Sequence, residues 1–513
     1  MPSFNGSVVM SPTAPDHFVI ATAGAYGHMP PLLGVAIALA EADPGIQVSL
    51  ILHTNNTPGA ERLLASTPEI KDRIKLYPTG TPSALRDRIK SYADMLMHGG
   101  EQYAAILADS TRPPPTVFCF DINAFFYFDL KTAVEKNFPH ITRPKVVGYG
   151  TWPLSHMLFL LGNEENGSDR WLRRILKEDR GDRPKFPTSA EGFAALRARP
   201  SPTAEEAKKM EEILSGSDLV INIPGIPPFH MYEYWMDPMV EGMQAVTHLL
   251  DAWICCFPSD VFEPEAYDAA CKDPLITARG GKPLFQLDWH EFPPQALEDD
   301  VKAFLDRQPP KSVVFVSFGT LFDAGQGVVK LFEELVESHT PFVLAGGNQL
   351  EQLPERARQI VQSAVALNQA IAPGWCDQVA VLNHPSVLCF VSHCGTNSVV
   401  EALLAAVPIL TWARQADHNL IAAQIGVRRL GIELVQHHEG HQVGRPVAHL
   451  DKIVVGDPEA IRAECHDALN RVKGAEGERI KDNLHKLAED MRVRRKGVWG
   501  QNLRRFIEWS RRA

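Results

Sequence analysis

Between Trp375 and His418 the sequence gathers residues whose types and spacing suit one kind of ligand. Trp375 offers a broad π-face on which a flat heterocycle can stack. Gln378, three residues on, carries an amide able to reach the edge of that heterocycle or its ribose. Residues 387–391 (Val-Leu-Cys-Phe-Val) read as a buried strand, His393-Cys-Gly-Thr-Asn-Ser398 as a turn, and residues 399–406 as an apolar helix. A small-residue turn between strand and helix makes an anion site. Gly395 lets backbone approach closely, the helix start presents unpaired N–H groups and the positive end of a dipole, and Asn397 and Ser398 add side-chain donors. Glu401, expected on the first turn of that helix, can accept from ribose hydroxyls. Asp417 and His418, at the strand-to-helix turn after residues 409–412, can bond a hexose. The needs of a nucleoside diphosphate sugar are thus met in order along 44 residues.

A hexose held this way needs an acceptor oxygen and a base for its proton, and His28 is the candidate. It follows the first expected strand through Ala23-Gly-Ala-Tyr-Gly27 and should emerge at the carboxyl edge of a sheet. A neutral imidazole there can take a proton from an attacking hydroxyl. Asp121 ends another expected strand, Val117-Phe-Cys-Phe-Asp121, and can accept from the second ring nitrogen, fixing the tautomer. Asp129, eight residues further on, competes for that role but should lie two turns into a helix, so Asp121 is preferred. Taken singly, a histidine after a glycine is more often a turn or core residue, and a Gly-x-Asn-Ser is more often a helix cap. Order and spacing shift both readings.

The stretch resembles the donor-binding signature of family 1 UDP-dependent glycosyltransferases of plant and fungal type, which also opens on Trp and spans 44 residues. Trp375, Gln378, His393, Gly395, Asn397, Ser398, Glu401, Pro408 and Asp417 fall on that spacing. Three further segments agree in order: Gly27-His-Met-Pro30 resembles the loop with the family's catalytic histidine, Val261-Phe-Glu-Pro-Glu-Ala-Tyr267 a segment late in its first domain, and residues 304–320 the opening of its second. The resemblance implies a GT-B fold, two facing doubly wound domains with a cleft between them. It also implies metal-free, inverting transfer of a hexose from a UDP-sugar to a small, largely apolar hydroxylated acceptor, with His28 and Asp121 as the catalytic pair. Ser317, Gly319 and Thr320, ending the first strand of the second domain, are expected to add donors to the pyrophosphate. Phe125, Phe126, Trp152 and Met157 are expected to line the acceptor pocket. Thr396 stands where plant members usually have Trp, Ala406 where they have Gly, Ala413 where they often have Pro, and His418 where they commonly have Gln. Glucose is therefore favoured, with galactose or another sugar left open.

Alternating strands and helices must position these residues. Strands are expected at 17–23, 47–54, 74–78, 116–121, 145–151, 218–223 and 253–257, with helices such as 31–42 and 85–109 between them. A second series follows the Pro-containing link Glu291-Phe-Pro-Pro294, with strands at 312–317, 341–345, 387–391 and 409–412. Such alternation means parallel sheets covered on both faces, with ligands at the carboxyl ends of the strands. The division expected is an acceptor domain over 1–293, carrying a polar inserted segment at about 163–217, a donor domain over 294–475, and helices at 476–513 packing back on the first domain.

Composition narrows the partners. The 513 residues carry 51 Lys and Arg against 62 Asp and Glu, a formal charge of −11, which argues against a nucleic-acid partner. The Arg- and Lys-rich stretch at 492–496 and beyond reads as the solvated face of terminal helices. Eight cysteines show no Cys-x-x-Cys, so neither a metal site nor a disulfide framework is expected, which fits a reducing compartment. The chain has no Asp-x-Asp triplet, no basic-then-apolar leader and no run of 18 apolar residues, so no metal, no resident cofactor and no membrane span are expected and a cytoplasmic location is favoured. Two other classes remain open: a nicotinamide-dependent oxidoreductase, against which the missing Gly-x-Gly-x-x-Gly after the first strand counts, and a non-catalytic sugar-nucleotide binder.

Overall fold

The computed structural model describes residues 16–81, 88–122, 142–163, 218–234, 247, 249–277, 281–287, 291–320, 324–345, 349–414 and 417–512. The inserted segment expected at 163–217 lies, apart from Asn163, outside them, as do Phe125, Phe126 and Asp129.

Two parallel sheets organise the chain. The first contains β1 (Asp16–Ala21), β2 (Ile46–His53), β3 (Ile74–Thr79), β4 (Val117–Asp121) and β5 (Lys145–Gly150). Next come β6 (Val220–Ile221) and β7 (Phe229–His230), which pair antiparallel with one another away from that sheet. This corrects the expectation of a sheet strand at 218–223: Pro224-Gly225 turns the chain back after two paired residues, and Gly225 takes a positive φ that closes the hairpin. β8 (Ala252–Cys255) and β9 (Leu284–Gln286) complete the first sheet in the order β3-β2-β1-β4-β5-β8-β9. The second sheet holds β10 (Val313–Ser317), β11 (Phe342–Leu344), β12 (Ala370–Ile371), β13 (Val387–Ser392), β14 (Ile409–Thr411) and β15 (Gly431–Glu433), ordered β12-β11-β10-β13-β14-β15. β9, β12 and β15 were not anticipated, since at two or three residues each they are too short to show a period.

In both sheets the order reverses between the first strand and its later neighbour, β1 beside β4 and β10 beside β13. Loops leaving adjacent strands in opposite directions open a crevice there, the place where α/β sheets bind ligands. β1, β4, β10 and β13 are wholly buried, as their unbroken apolar runs require for central strands covered on both faces.

Six helices matter for the site. α1 (Met29–Ala42) starts with Pro30 in its first turn, where the missing N–H costs nothing, and buries Met29 through Ala40, packing on β2. α2 (Leu154–Leu161) is buried throughout and follows β5. α3 (Thr396–Leu404) follows β13, and α4 (His418–Val427) follows β14. The terminal helices divide their packing. α5 (Ala475–Arg494) lies on α3, whereas α6 (Gly500–Arg511), joined to it through a π-helical turn at Arg495–Trp499, crosses to the first sheet. There Phe506 meets Phe18 and Phe285, and Arg511 pairs with Asp16 at 2.6 Å and Asp43 at 2.7 Å. Among the described residues, no helix is long and apolar enough to cross a membrane.

Candidate functional site

The turn after β1 is a 3-10 helix, Tyr26–His28, whose last residue caps α1. This brings the His28 ring over the end of β4, the strand beside β1, where Asp121 is the last residue. His28 Nδ1 lies 2.5 Å from Asp121 Oδ2, with the carboxylate fully buried and the imidazole side chain 15% exposed. Thr151, just past β5, sits 3.5 Å from the same nitrogen. A carboxylate accepts only, so Nδ1 carries the proton and the lone pair is left on Nε2. Burial opposes charging this ring, but the attraction of Asp121, the bond to it and the more distant Asp417 prevail, so its pKa stands above that of an ordinary histidine.

The crevice of the second sheet faces this pair. β10 ends at Ser317, followed by Gly319 and Thr320, and β13 ends beside His393. A Cβ on Gly319 would come within 2.5 Å of His393 Nε2 and one on Gly395 within 2.4 Å, so the imidazole is seated between two glycines. Gly319 also has a φ of +72°, doubly excluding a side chain. The His393 ring stands edge-on to His418, centroids 5.0 Å apart.

Helix α3 starts three residues earlier than the sequence suggested. Gly395 is its N-cap, so Thr396, Asn397 and Ser398 form the first turn, and Glu401 moves to the second. The small polar residues scored as turn, yet a helix start tolerates them because its first N–H groups have no helical partners. Gln378 donates from Nε2 to Glu401 Oε2 at 2.6 Å and to Ser398 Oγ at 3.1 Å, tying three expected donor residues into one network. Burial pushes the Glu401 carboxyl up to about 7 against the pull of the Gln378 bond. Asp417 caps α4 and is likewise pushed up to about 7 by burial; its own backbone N–H and His28 oppose the rise, and Glu263 adds to it.

Trp375 keeps 37% of its surface exposed. It faces the first half of the chain: Tyr26 meets its ring edge-on at 5.1 Å, and the Arg62 guanidinium lies 6.0 Å from its centroid. Asn397 Nδ2 donates to Gly27 O, a second link from the donor stretch to the turn that carries His28. His28, Asp121, Asp417, His393 and His418 therefore converge where the two crevices meet, flanked by the Trp375–Gln378–Glu401 group. Trp152 and Met157, 9% and 5% exposed, pack in the hydrophobic core beyond Thr151. Sequence reading missed Tyr26, Arg62, Thr151 and Glu263. Thr151 had a signal, its place just past the strand beside β4. Glu263 accepts from Ser155 N at 3.2 Å and Ser259 Oγ at 2.6 Å, so it holds the start of α2 beside the site. Among the described residues, no group of three or more His, Cys, Asp or Glu side chains is placed to hold a metal ion.

Residues 290–438 match the model of the family described as UDP-glucoronosyl and UDP-glucosyl transferase. Crocetin glucosyltransferase, chloroplastic, of Gardenia jasminoides is 30% identical over 241 residues, 46% of this chain and 45% of that one. Indole-3-acetate beta-glucosyltransferase of Zea mays is 38% identical over 130 residues, 25% of this chain and 27% of that one. The chain thus spans about half, or less, of the length of these curated relatives. Solved structures cover more. UGT2 of Phytolacca americana, complexed with UDP-2fluoro-glucose and pterostilbene, superposes with a TM-score of 0.64 over 97% of this chain and 100% of that one at 17% identity. UGT71G1 of Medicago truncatula, complexed with UDP-glucose, gives 0.62 over 96% and 98%, again at 17% identity. The fold is accordingly GT-B.

Proposed function

With the chain a member of the family 1 UDP-dependent glycosyltransferases, we propose that it moves a hexose, glucose by preference, from a UDP-sugar to a hydroxyl of a small, largely apolar acceptor. The observation that carries this reading is the meeting of two switch-point crevices, one presenting His28 bonded to Asp121 and the other presenting His393 between two glycines at the mouth of α3. Uracil stacks on Trp375, with Gln378 and Glu401 taking the ribose. The pyrophosphate lies against the start of α3, reached by Asn397, Ser398, His393 and the Ser317-Phe318-Gly319-Thr320 turn. Asp417 and His418 bond the hexose. The acceptor enters from the first half, with Trp152 and Met157 toward its apolar part.

Transfer is then a single in-line displacement. His28 Nε2 takes the acceptor proton as its oxygen attacks the anomeric carbon; the bond to the β-phosphate oxygen breaks, and UDP leaves with its charge absorbed by His393, Ser398 and the amides of α3. Asp121 stabilises the imidazolium formed on the way. One displacement inverts the anomeric configuration. The donor is a substrate, and no resident cofactor or metal enters the scheme. The eight cysteines form no disulfide, which fits work in a reducing compartment such as the cytoplasm.

His28→Ala tests the assignment. Transfer, followed by mass spectrometry with a panel of UDP-sugars and hydroxylated acceptors, should fall by 10²-fold or more, while UDP affinity by calorimetry stays within a few fold. Retained turnover would remove His28 as base, and UDP binding without turnover in the unaltered protein would leave only a sugar-nucleotide binder.

A further inference from the structure

Resting on that reading, we propose that Asn397 is a positioning residue: its amide fastens the turn that carries the base to the donor half, so that His28 is aimed at the anomeric carbon. The resemblance assigns this side chain to the donor, yet here an N–H of its amide is given to Gly27 O, across the interdomain gap. Gly27 is the residue immediately before His28, so the bond acts on the backbone from which the imidazole projects.

The backbone of the turn has few other hydrogen bonds. Tyr26–His28 is three residues long and has no side-chain cap at its start, and the His28 backbone N–H returns only to Ala25 O, within the same turn. Beyond the turn itself, contacts fix it from both sides, Thr151 Oγ1 at 3.5 Å from His28 Nδ1 among them. Asp121 orients the His28 ring from the first sheet, and Asn397, with Trp375 against Tyr26, sets the backbone from the second half. The Asp121 bond decides the tautomer. The Gly27 bond fixes the backbone from which the ring projects. An amide carries two N–H groups and an oxygen, so Asn397 can hold Gly27 and still meet a phosphate from the start of α3. One side chain then measures the distance between base and leaving group. A displacement on the order of 1 Å at such a base costs about 10²-fold in rate.

Asn397→Leu keeps the branching at Cγ and removes the donor. The unaltered protein and the variant are compared in UDP calorimetry, in kcat at saturating donor and acceptor, and in the pH profile of kcat. The expected result is a kcat at saturating donor lowered about 30- to 100-fold, beyond whatever the lost phosphate donor costs in UDP affinity, and an acid limb that keeps its place because the His28–Asp121 pair is intact. Asn397→Gln, whose amide is retained on a longer arm, should recover part of the rate. An unchanged kcat with Kd raised tenfold would make Asn397 a phosphate contact and overturn the proposal, as would an acid limb moved with the rate. Failure of the underlying reading shows differently: the unaltered protein would bind no UDP, or His28→Ala would keep its turnover. A thermal melt of the variant within a degree or two of the parent excludes a folding defect as the source of any loss.

Discussion

The bond from His28 Nδ1 to Asp121 Oδ2 sets a pH dependence with a definite sign. A base works when it is neutral, and Asp121 favours the charged ring, so the acid limb of kcat/KM should lie above the range of a free histidine. In Asp121→Asn the attraction is gone and burial, which disfavours charge, is left. The limb should then move to lower pH while the plateau drops by about 10²-fold or more, the asparagine no longer holding the productive tautomer. A limb that stays in place in the variant would mean that some other group titrates. Glu401 and Asp417 are also displaced upward, by burial, and both sit where sugar or ribose hydroxyls are expected. A hydroxyl donated to either carboxylate would favour its charged form.

At the scale of elements, α6 shows how the last dozen residues hold the first strand. Its Arg511 pairs with two carboxylates, Asp16 at the start of β1 and Asp43 just past α1, all three groups largely shielded from solvent. Arg511→Ala would leave two partly buried charges without their shared partner. We expect a loss of about 2 kcal/mol in unfolding free energy, read as a lower urea midpoint at unchanged slope. The UDP affinity should not move, since α6 packs on the first sheet and lies far along the chain from α3. A midpoint within error of the parent would show the pairs to be ornaments of an already anchored helix. The same scale explains why β4 and β13 end where they do. Their last residues lie beside β1 and β10 at the reversal of strand order, and strand ends at a reversal face an open crevice instead of a neighbouring loop.

At the scale of the whole molecule, the two halves are joined by more than the link at 291–294. Tyr232 donates to Pro446 O at 2.6 Å, Asn419 to Glu233 O, Arg428 to Phe262 O with its guanidinium 5.1 Å from that ring, and Arg494 pairs with Asp260 at 2.5 Å. One apolar core cluster runs through both sheets. The molecule should therefore unfold in one calorimetric transition. UDP at one hundred times its Kd should raise its stability by about 2.7 kcal/mol and keep the transition single. Two transitions, of which only the later half responds to UDP, would show that the halves are coupled less tightly than these contacts imply.

The sequence by itself determined the class of fold and suggested a chemistry. Trp375, Gln378, Glu401 and Asp417 were named from the order of groups that a nucleotide sugar needs, and apolar runs of five or six residues between helical stretches fit central parallel strands. His28 and Asp121 were legible as strand-end residues on one sheet edge. Their pairing was expected, but its geometry, 2.5 Å between residues 93 positions apart in the chain, came from which strands become neighbours. Short strands such as β12 and β15 escaped notice since their pairing comes from the sheet beside them, and the hairpin at 220–230 was mistaken for a sheet strand for the same reason. Only the tertiary structure brought Tyr26, Arg62 and Gly27 against Trp375 and Asn397. Those contacts arise from how two independently wound sheets face each other, a relation that no local pattern in a chain encodes.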